Sequence, residues 1–241
     1  MQSKTVGTAN SASGMRFYSV DLDFKKILLE SKRCYHLWKD IVQIQAPPGS
    51  ERDFDPTLSK NAYSLITLSS PLPEYYKLWQ QVFKNIRKYP GLEEKPIWIH
   101  TWLNVHRSEH LGAMSLGWHS HNYCSKHGFI HLSQKDTDTV FSAVVPEDME
   151  ERDRYTNWYI DAPDRYAPHE LDDKDTMLVV PNKQGMQYIG PGTLMHKVRP
   201  KPFDGIRVSI GYDIMEDPDL DDPSVVDTFQ NDIFVPIPQW N

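Results

Sequence analysis

The chain has 241 residues, enough for one sizeable domain and short for two. A hydrophobic content of 39% with 12% aromatic residues excludes a disordered chain and supports a packed core. The formal net charge of -7 and a pI near 5.8 argue against nucleic acid as a partner, which would want a basic surface.

Only two cysteines occur, Cys34 and Cys124, far apart in the chain. That is no disulfide framework and suits a reducing compartment, so a cytoplasmic protein is expected. Residues 1–14 are polar and small, without the apolar centre of a signal peptide. No apolar run approaches the roughly 20 residues needed to cross a bilayer, so no membrane association is expected.

In chain order, residues 1–15 are rich in Ser, Thr and Gly and read as a flexible N-terminus. From Asp23 to about Val42, Phe24, Ile27, Leu28, Cys34, Leu37, Trp38 and Ile41 recur at helical spacing. Pro47 to Pro56 reads as a loop. A second helix starts at Leu72-Pro73-Glu74 and stops at Pro90-Gly91. Its expected apolar stripe is Tyr76, Leu78, Trp79, Val82, Phe83 and Ile86.

From Pro96 onward short runs of β-branched and aromatic residues alternate with turn residues. Strands are expected at 97–105, 114–120, 127–133, 138–145, 155–161, 176–180, 185–189, 193–199 and 206–214. The fold class is therefore mainly β: a double-stranded β-helix (jelly roll) with N-terminal helices packed outside one sheet. Within one domain, 16–95 is its helical part, 96–215 the jelly-roll core and 216–241 an extended tail, too rich in Pro and Asp for a central strand.

Six of the ten histidines fall between His106 and His131. His106, His110 and His127 read as hydrogen-bonded structural residues. His119 and His121, with one residue between them, leave an extended backbone on the same face. His196 shares a strand face with Leu194 and Val198, leaving Met195 and Lys197 opposite. Along 207–214, alternation puts Arg207, Ser209 and Asp213 on one face and Val208, Ile210, Tyr212 and Ile214 on the other. Three imidazoles and a guanidinium are costly to bury together unless a metal and an anion are bound.

Residues 102–214 resemble the 2-oxoglutarate/Fe(II)-dependent oxygenases, in particular their prolyl-hydroxylase-like and phage-type members. Trp102-Leu103-Asn104 and Gly117-Trp118-His119-Ser120-His121 resemble the approach to that family's H-x-[D/E] ligand motif. Gly128 to Ser133 and Thr139-Val140-Phe141 resemble its next strands. Gly190-Pro191-Gly192-Thr193-Leu194-Met195-His196 resembles the turn and strand of the distal histidine. Arg207-Val208-Ser209 resembles the strand that grips the distal carboxylate of 2-oxoglutarate.

The resemblance implies Fe(II) on His119, His121 and His196, with 2-oxoglutarate as co-substrate and O2 as oxidant. It further implies co-substrate contacts from Arg207, Ser209, His131 and Asn104. A planar guanidinium suits a carboxylate, and a hydroxyl on the same strand face adds a contact. The implied reaction is hydroxylation of a substrate C–H, on a small molecule or a protein side chain, coupled to decarboxylation of 2-oxoglutarate.

One departure stands out: the family has Asp or Glu where this chain has His121, and no H-x-D or H-x-E occurs anywhere. Three arrangements are compatible with it: Fe(II) on three imidazoles, a different metal, or His121 behind a two-histidine site. Two other classes remain, a cupin-like metal barrel without 2-oxoglutarate and a non-catalytic jelly-roll module. Cys124 reads as a buried thiol. The Asp217–Asp222 run reads as a solvated tail. Trp118, Trp158 and Tyr188 are candidates for the pocket wall.

Overall fold

A computed structural model describes residues 14–45, 65–107, 119–121, 123–134, 137–142, 177–199, 206–218, 221 and 234–237. The loop expected at 47–56 and the strand expected at 155–161 lie outside these residues, as do 114–118.

Three helices lie near the N-terminus: α1 (Phe24–Gln45), α2 (Leu65–Ser69) and α3 (Pro73–Ile86). Proline opens α3, where its missing N–H costs nothing. No side chain of Leu72 caps that end. Instead Glu30 of α1 accepts from the backbone N–H groups of Glu74 and Tyr75, both at 3.0 Å. The buried face of α3 carries Tyr75, Leu78, Trp79, Val82, Phe83 and Ile86. The expected stripe is corrected at its first position: Tyr76 is 49% exposed and Tyr75 fully buried. Both positions fit a helical period, but only Tyr75 reaches Ser31 on α1, 2.7 Å between hydroxyls.

Among the described residues there are nine strands, the first of them ahead of α1 and the rest after α3: β1 (Arg16–Ser19), β2 (Ile97–Arg107), β3 (Lys126–His131), β4 (Asp138–Ser142), β5 (Met177–Pro181), β6 (Met186–Pro191), β7 (Met195–Arg199), β8 (Ile206–Glu216) and β9 (Val235–Pro236). They form a six-stranded sheet, β1-β6-β3-β8-β2-β9, and a three-stranded sheet, β5-β4-β7. All pairings are antiparallel. The sequence reading did not anticipate α2, β1 or β9. The last two are short edge strands, and Pro236 is tolerated there because an edge strand need not donate on both sides.

The period of two decides what each face of the large sheet meets. Ile99, Leu103, Val105, Val208, Ile210, Tyr212 and Ile214 turn outward into one core with Leu78, Trp79, Val82 and Ile86 of α3. Asn85 of α3 donates to Gln187 Oε1, Gln187 donates to Tyr212 Oη at 2.9 Å, and Tyr212 donates to the Tyr188 carbonyl. This chain of bonds satisfies polar groups inside an apolar layer. The other face turns toward the small sheet, and Phe129, Phe141, Val180 and Tyr188 fill part of the space between. The architecture is the expected jelly roll with helices outside one sheet. No helix among the described residues is long and apolar enough to cross a membrane.

Candidate metal centre and anion pocket

Strand register fixes the inward-facing rows of the large sheet. Ser209 of β8 lies between His131 of β3 and Asn104 of β2. One row on, Gly211 lies between Phe129 and Trp102, and Asp213 lies between His127 and His100. The face that alternation assigned to Arg207, Ser209 and Asp213 is the interior of the barrel.

His119 and His196 come together through their main chains. His119 N donates to His196 O at 3.1 Å, and His196 N donates to His119 O at 2.9 Å. Two residues on, His121 N donates to Gly192 O at 2.8 Å. Gly192 has to lack a side chain here, since a Cβ would stand 2.3 Å from the Cys124 carbonyl oxygen. The outcome is a cluster of three imidazoles whose ligand atoms lie within 4.8 Å of one another. Ring centroids are 4.3 Å apart for His119–His196 and 5.3 Å for His121–His196.

The donor set fits a metal. Imidazole nitrogen suits first-row metals such as Fe and Ni. Nε2 of His121 is buried and has no hydrogen-bond partner, while its Nδ1 is engaged by Asp213 at 3.0 Å. A buried, unpaired nitrogen costs about 1–3 kcal/mol unless something coordinates it. Burial, then the neighbouring His119, His127 and His121, holds His196 well below the usual histidine range. A neutral imidazole is the form that binds metal.

His127 belongs to the same cluster. Its expected role as a hydrogen-bonded histidine holds, since Nδ1 lies 2.8 Å from Asp213 Oδ1. But its ring also stacks on His121 at 3.8 Å and on His196 at 4.7 Å. Burial and the adjacent His121 push it down to about 4, against the pull of Asp213. Burial alone would raise Asp213, yet the facing His121 and His127 hold its carboxyl well below the usual range. The group is an anionic carboxylate between two imidazoles. Trp102 closes it, its ring centroid 5.8 Å from His121 and 6.0 Å from His127.

Arg207 is buried, and burial lowers its guanidinium to about 10, still charged near neutrality. Its Nε–H donates to Thr137 Oγ1 at 3.3 Å. Thr137 in turn accepts from Asn182 Nδ2 at 2.8 Å, and Asn182 Oδ1 accepts from Thr139 at 2.9 Å. His131 faces the same charge. Burial and Arg207 hold its imidazole well below the usual range, and its Nε2 is buried without a hydrogen-bond partner. Of the four residues expected around an anion, Arg207, Ser209 and His131 are buried and Asn104 is half-buried beside Ser209.

Sequence reasoning missed Thr137, Asn182 and the joint role of Asp213 and His127. Cys124 is the buried thiol expected, its Sγ–H 3.1 Å from His121 O. Tyr188 lies in the inter-sheet core rather than on an open wall. Lys197 is buried, as is Val140 opposite it on β4. His110, Trp118 and Trp158 lie outside the described residues, as does half of the Asp217–Asp222 run.

No family model and no curated protein matches the sequence. Among solved structures the chain resembles the non-heme alpha ketoglutarate dependent epimerase SnoN from nogalamycin biosynthesis. That likeness has 12% identity, covers 84% of this chain and 78% of SnoN, and has a TM-score of 0.50. AviO1 from Streptomyces viridochromogenes Tue57 is similar at 14% identity, over 91% of this chain and 98% of its own, with a TM-score of 0.48. HygX from Streptomyces hygroscopicus, solved with nickel and 2-oxoglutarate bound, matches at 14% identity over 83% and 82%, TM-score 0.46. The likeness to SnoN is one of fold, the two-sheet jelly roll with outer helices described above.

Proposed function

We propose that the chain is a non-haem Fe(II)- and 2-oxoglutarate-dependent oxygenase whose metal is held by His119, His121 and His196. The observation that carries this reading is the pairing of two features in one barrel. Three imidazoles from separate segments converge within 4.8 Å, and a buried arginine lies on the same inner face of β8 as Asp213. The buried Nε2 of His121, which has no hydrogen-bond partner, is the kind of group a bound metal satisfies.

When bound, Fe(II) supplies the chemistry that couples decarboxylation of 2-oxoglutarate to oxidation of a substrate C–H by O2. The chain's own part is binding and exclusion. Arg207 donates to the distal carboxylate of 2-oxoglutarate, with Thr137 fixing the guanidinium from behind. Ser209 and Asn104 offer further polar contacts along the same row, and His131 presents its unpartnered Nε2. Trp102 beside His121 and Phe141 beside His196 help keep water from the ligand nitrogens. The substrate class is a small molecule or a protein side chain.

Anaerobic titration of metal-free protein with Fe(II) and 2-oxoglutarate tests the reading. The expected result is a visible metal-to-ligand charge-transfer band that disappears in Arg207→Ala. A missing band in the wild-type protein, with no iron retained on elemental analysis, overturns it.

A further inference from the structure

The H-x-H pair lacks the carboxylate that an H-x-[D/E] pair would bring, yet a carboxylate stands directly behind it. Asp213 is fully buried. Its Oδ2 lies 3.0 Å from His121 Nδ1 and its Oδ1 lies 2.8 Å from His127 Nδ1. A carboxylate can only accept, so both Nδ1 atoms carry the proton and both Nε2 atoms carry the lone pair. Tyr123 Oη–H donates to Oδ2 as well. Among the described residues, the ion-pair partners of Asp213 are these two histidines and no lysine or arginine.

Resting on the proposed metal site, we infer that Asp213 takes the part of the missing ligand carboxylate from one bond further out. It turns His121 Nε2 toward the metal, and it places the compensating negative charge behind a neutral three-imidazole shell. An uncompensated anion is costly to bury, and a divalent cation held by the other nitrogen of that imidazole would be the charge that balances it. His127 shares the carboxylate and buttresses His121 by stacking, without being a ligand. His121, His127 and Asp213 could themselves be mistaken for a second metal site. Their 2.8 and 3.0 Å separations are hydrogen-bond lengths, with the donors already spent on one another.

Asp213→Asn isolates the role. An amide has a single accepting oxygen and a donating nitrogen, so the shared arrangement is lost, and a His121 that reverses its tautomer turns an N–H toward the metal position. Affinity for Ni(II), measured by calorimetry, is expected to fall about 10–100-fold. The Fe(III)/Fe(II) midpoint potential of the loaded protein is expected to rise, a readout that loosened packing alone does not move in a set direction. Glu30→Ala, which loosens the α1–α3 contact away from the cluster, is expected to keep Ni(II) affinity within a few-fold. Should Asp213→Asn fail to fold, ¹⁵N spectra of Zn(II)-loaded wild-type protein give the answer: His121 must be protonated on Nδ1 and metal-bound through Nε2. Unchanged Ni(II) affinity in Asp213→Asn, the opposite His121 tautomer, or equal losses in both variants overturns the inference alone. Wild-type protein that takes up none of these metals overturns the oxygenase reading and this inference with it.

Discussion

Trp102 lies directly opposite Gly211 across the β2–β8 ladder, and a Cβ on Gly211 would stand 2.3 Å from the indole. The ring occupies the space a side chain would take and from there closes over His121 and His127. Gly211→Ala must push the indole toward those imidazoles. The expected cost is about 1–3 kcal/mol in urea unfolding, as for overpacking elsewhere. Weaker Ni(II) binding is expected alongside it. A variant with wild-type stability and affinity would show that Trp102 has room to retreat.

Arg207 is expected to serve the co-substrate and leave the metal alone. In Arg207→Ala, 2-oxoglutarate affinity should fall at least about 10–100-fold, the worth of charge-assisted hydrogen bonds, while Ni(II) affinity stays near wild type. Arg207→Lys should recover little, because a point charge does not replace a planar fork. Calorimetry with each ligand separately checks both statements.

Metal loading should stabilise the fold by mass action. At a metal concentration about a hundredfold above Kd, roughly 2.7 kcal/mol is expected, seen as a raised melting temperature. The rise should vanish in His196→Ala and return to the unloaded value on adding a chelator.

Acid should destabilise the metal-free protein earlier than carboxylate titration would require. Burial and Arg207 hold His131 well below its ordinary 6.5, and burial with His121 holds His127 at about 4. Below 6.5 the unfolded chain therefore binds protons that the folded chain does not. Stability is whole above 6.5 and falls as pH drops toward 4, by up to about 1.4 kcal/mol per pH unit for each such histidine. Denaturation curves between about pH 7 and about pH 5 should show this slope, shallower in His131→Asn. Identical slopes in the two proteins would remove His131 from the account.

Glu30 is expected to matter more than its sequence position implies, since it alone caps the N-terminus of α3 from another helix. Glu30→Ala should cost roughly 1–2 kcal/mol, the worth of an N-cap, without changing metal affinity. Urea titration against Ni(II) calorimetry separates the two effects.

What was legible in the sequence follows a simple physical line. The period of two sorted Arg207, Ser209 and Asp213 from Val208, Ile210, Tyr212 and Ile214 correctly, because β8 has a different partner on each face. The H-x-H pair was legible for the same reason. His127 was not, because its meaning depends on Asp213, 86 residues away, and only the β3–β8 register brings them together. Thr137 and Asn182 are ordinary polar residues until the small sheet folds over Arg207. The burial of Lys197 was not legible, because alternation cannot tell a solvent face from a second covered one.

The main-chain pairing of His119 with His196 has a consequence for how such a site diversifies. Two donors are spaced by peptide geometry, 2.9 and 3.1 Å across one bridge, and the third is tied by the His121–Gly192 bond. Side-chain exchange around them leaves that spacing untouched. Selection can therefore act on the surrounding side chains while the spacing of the three donors is inherited intact.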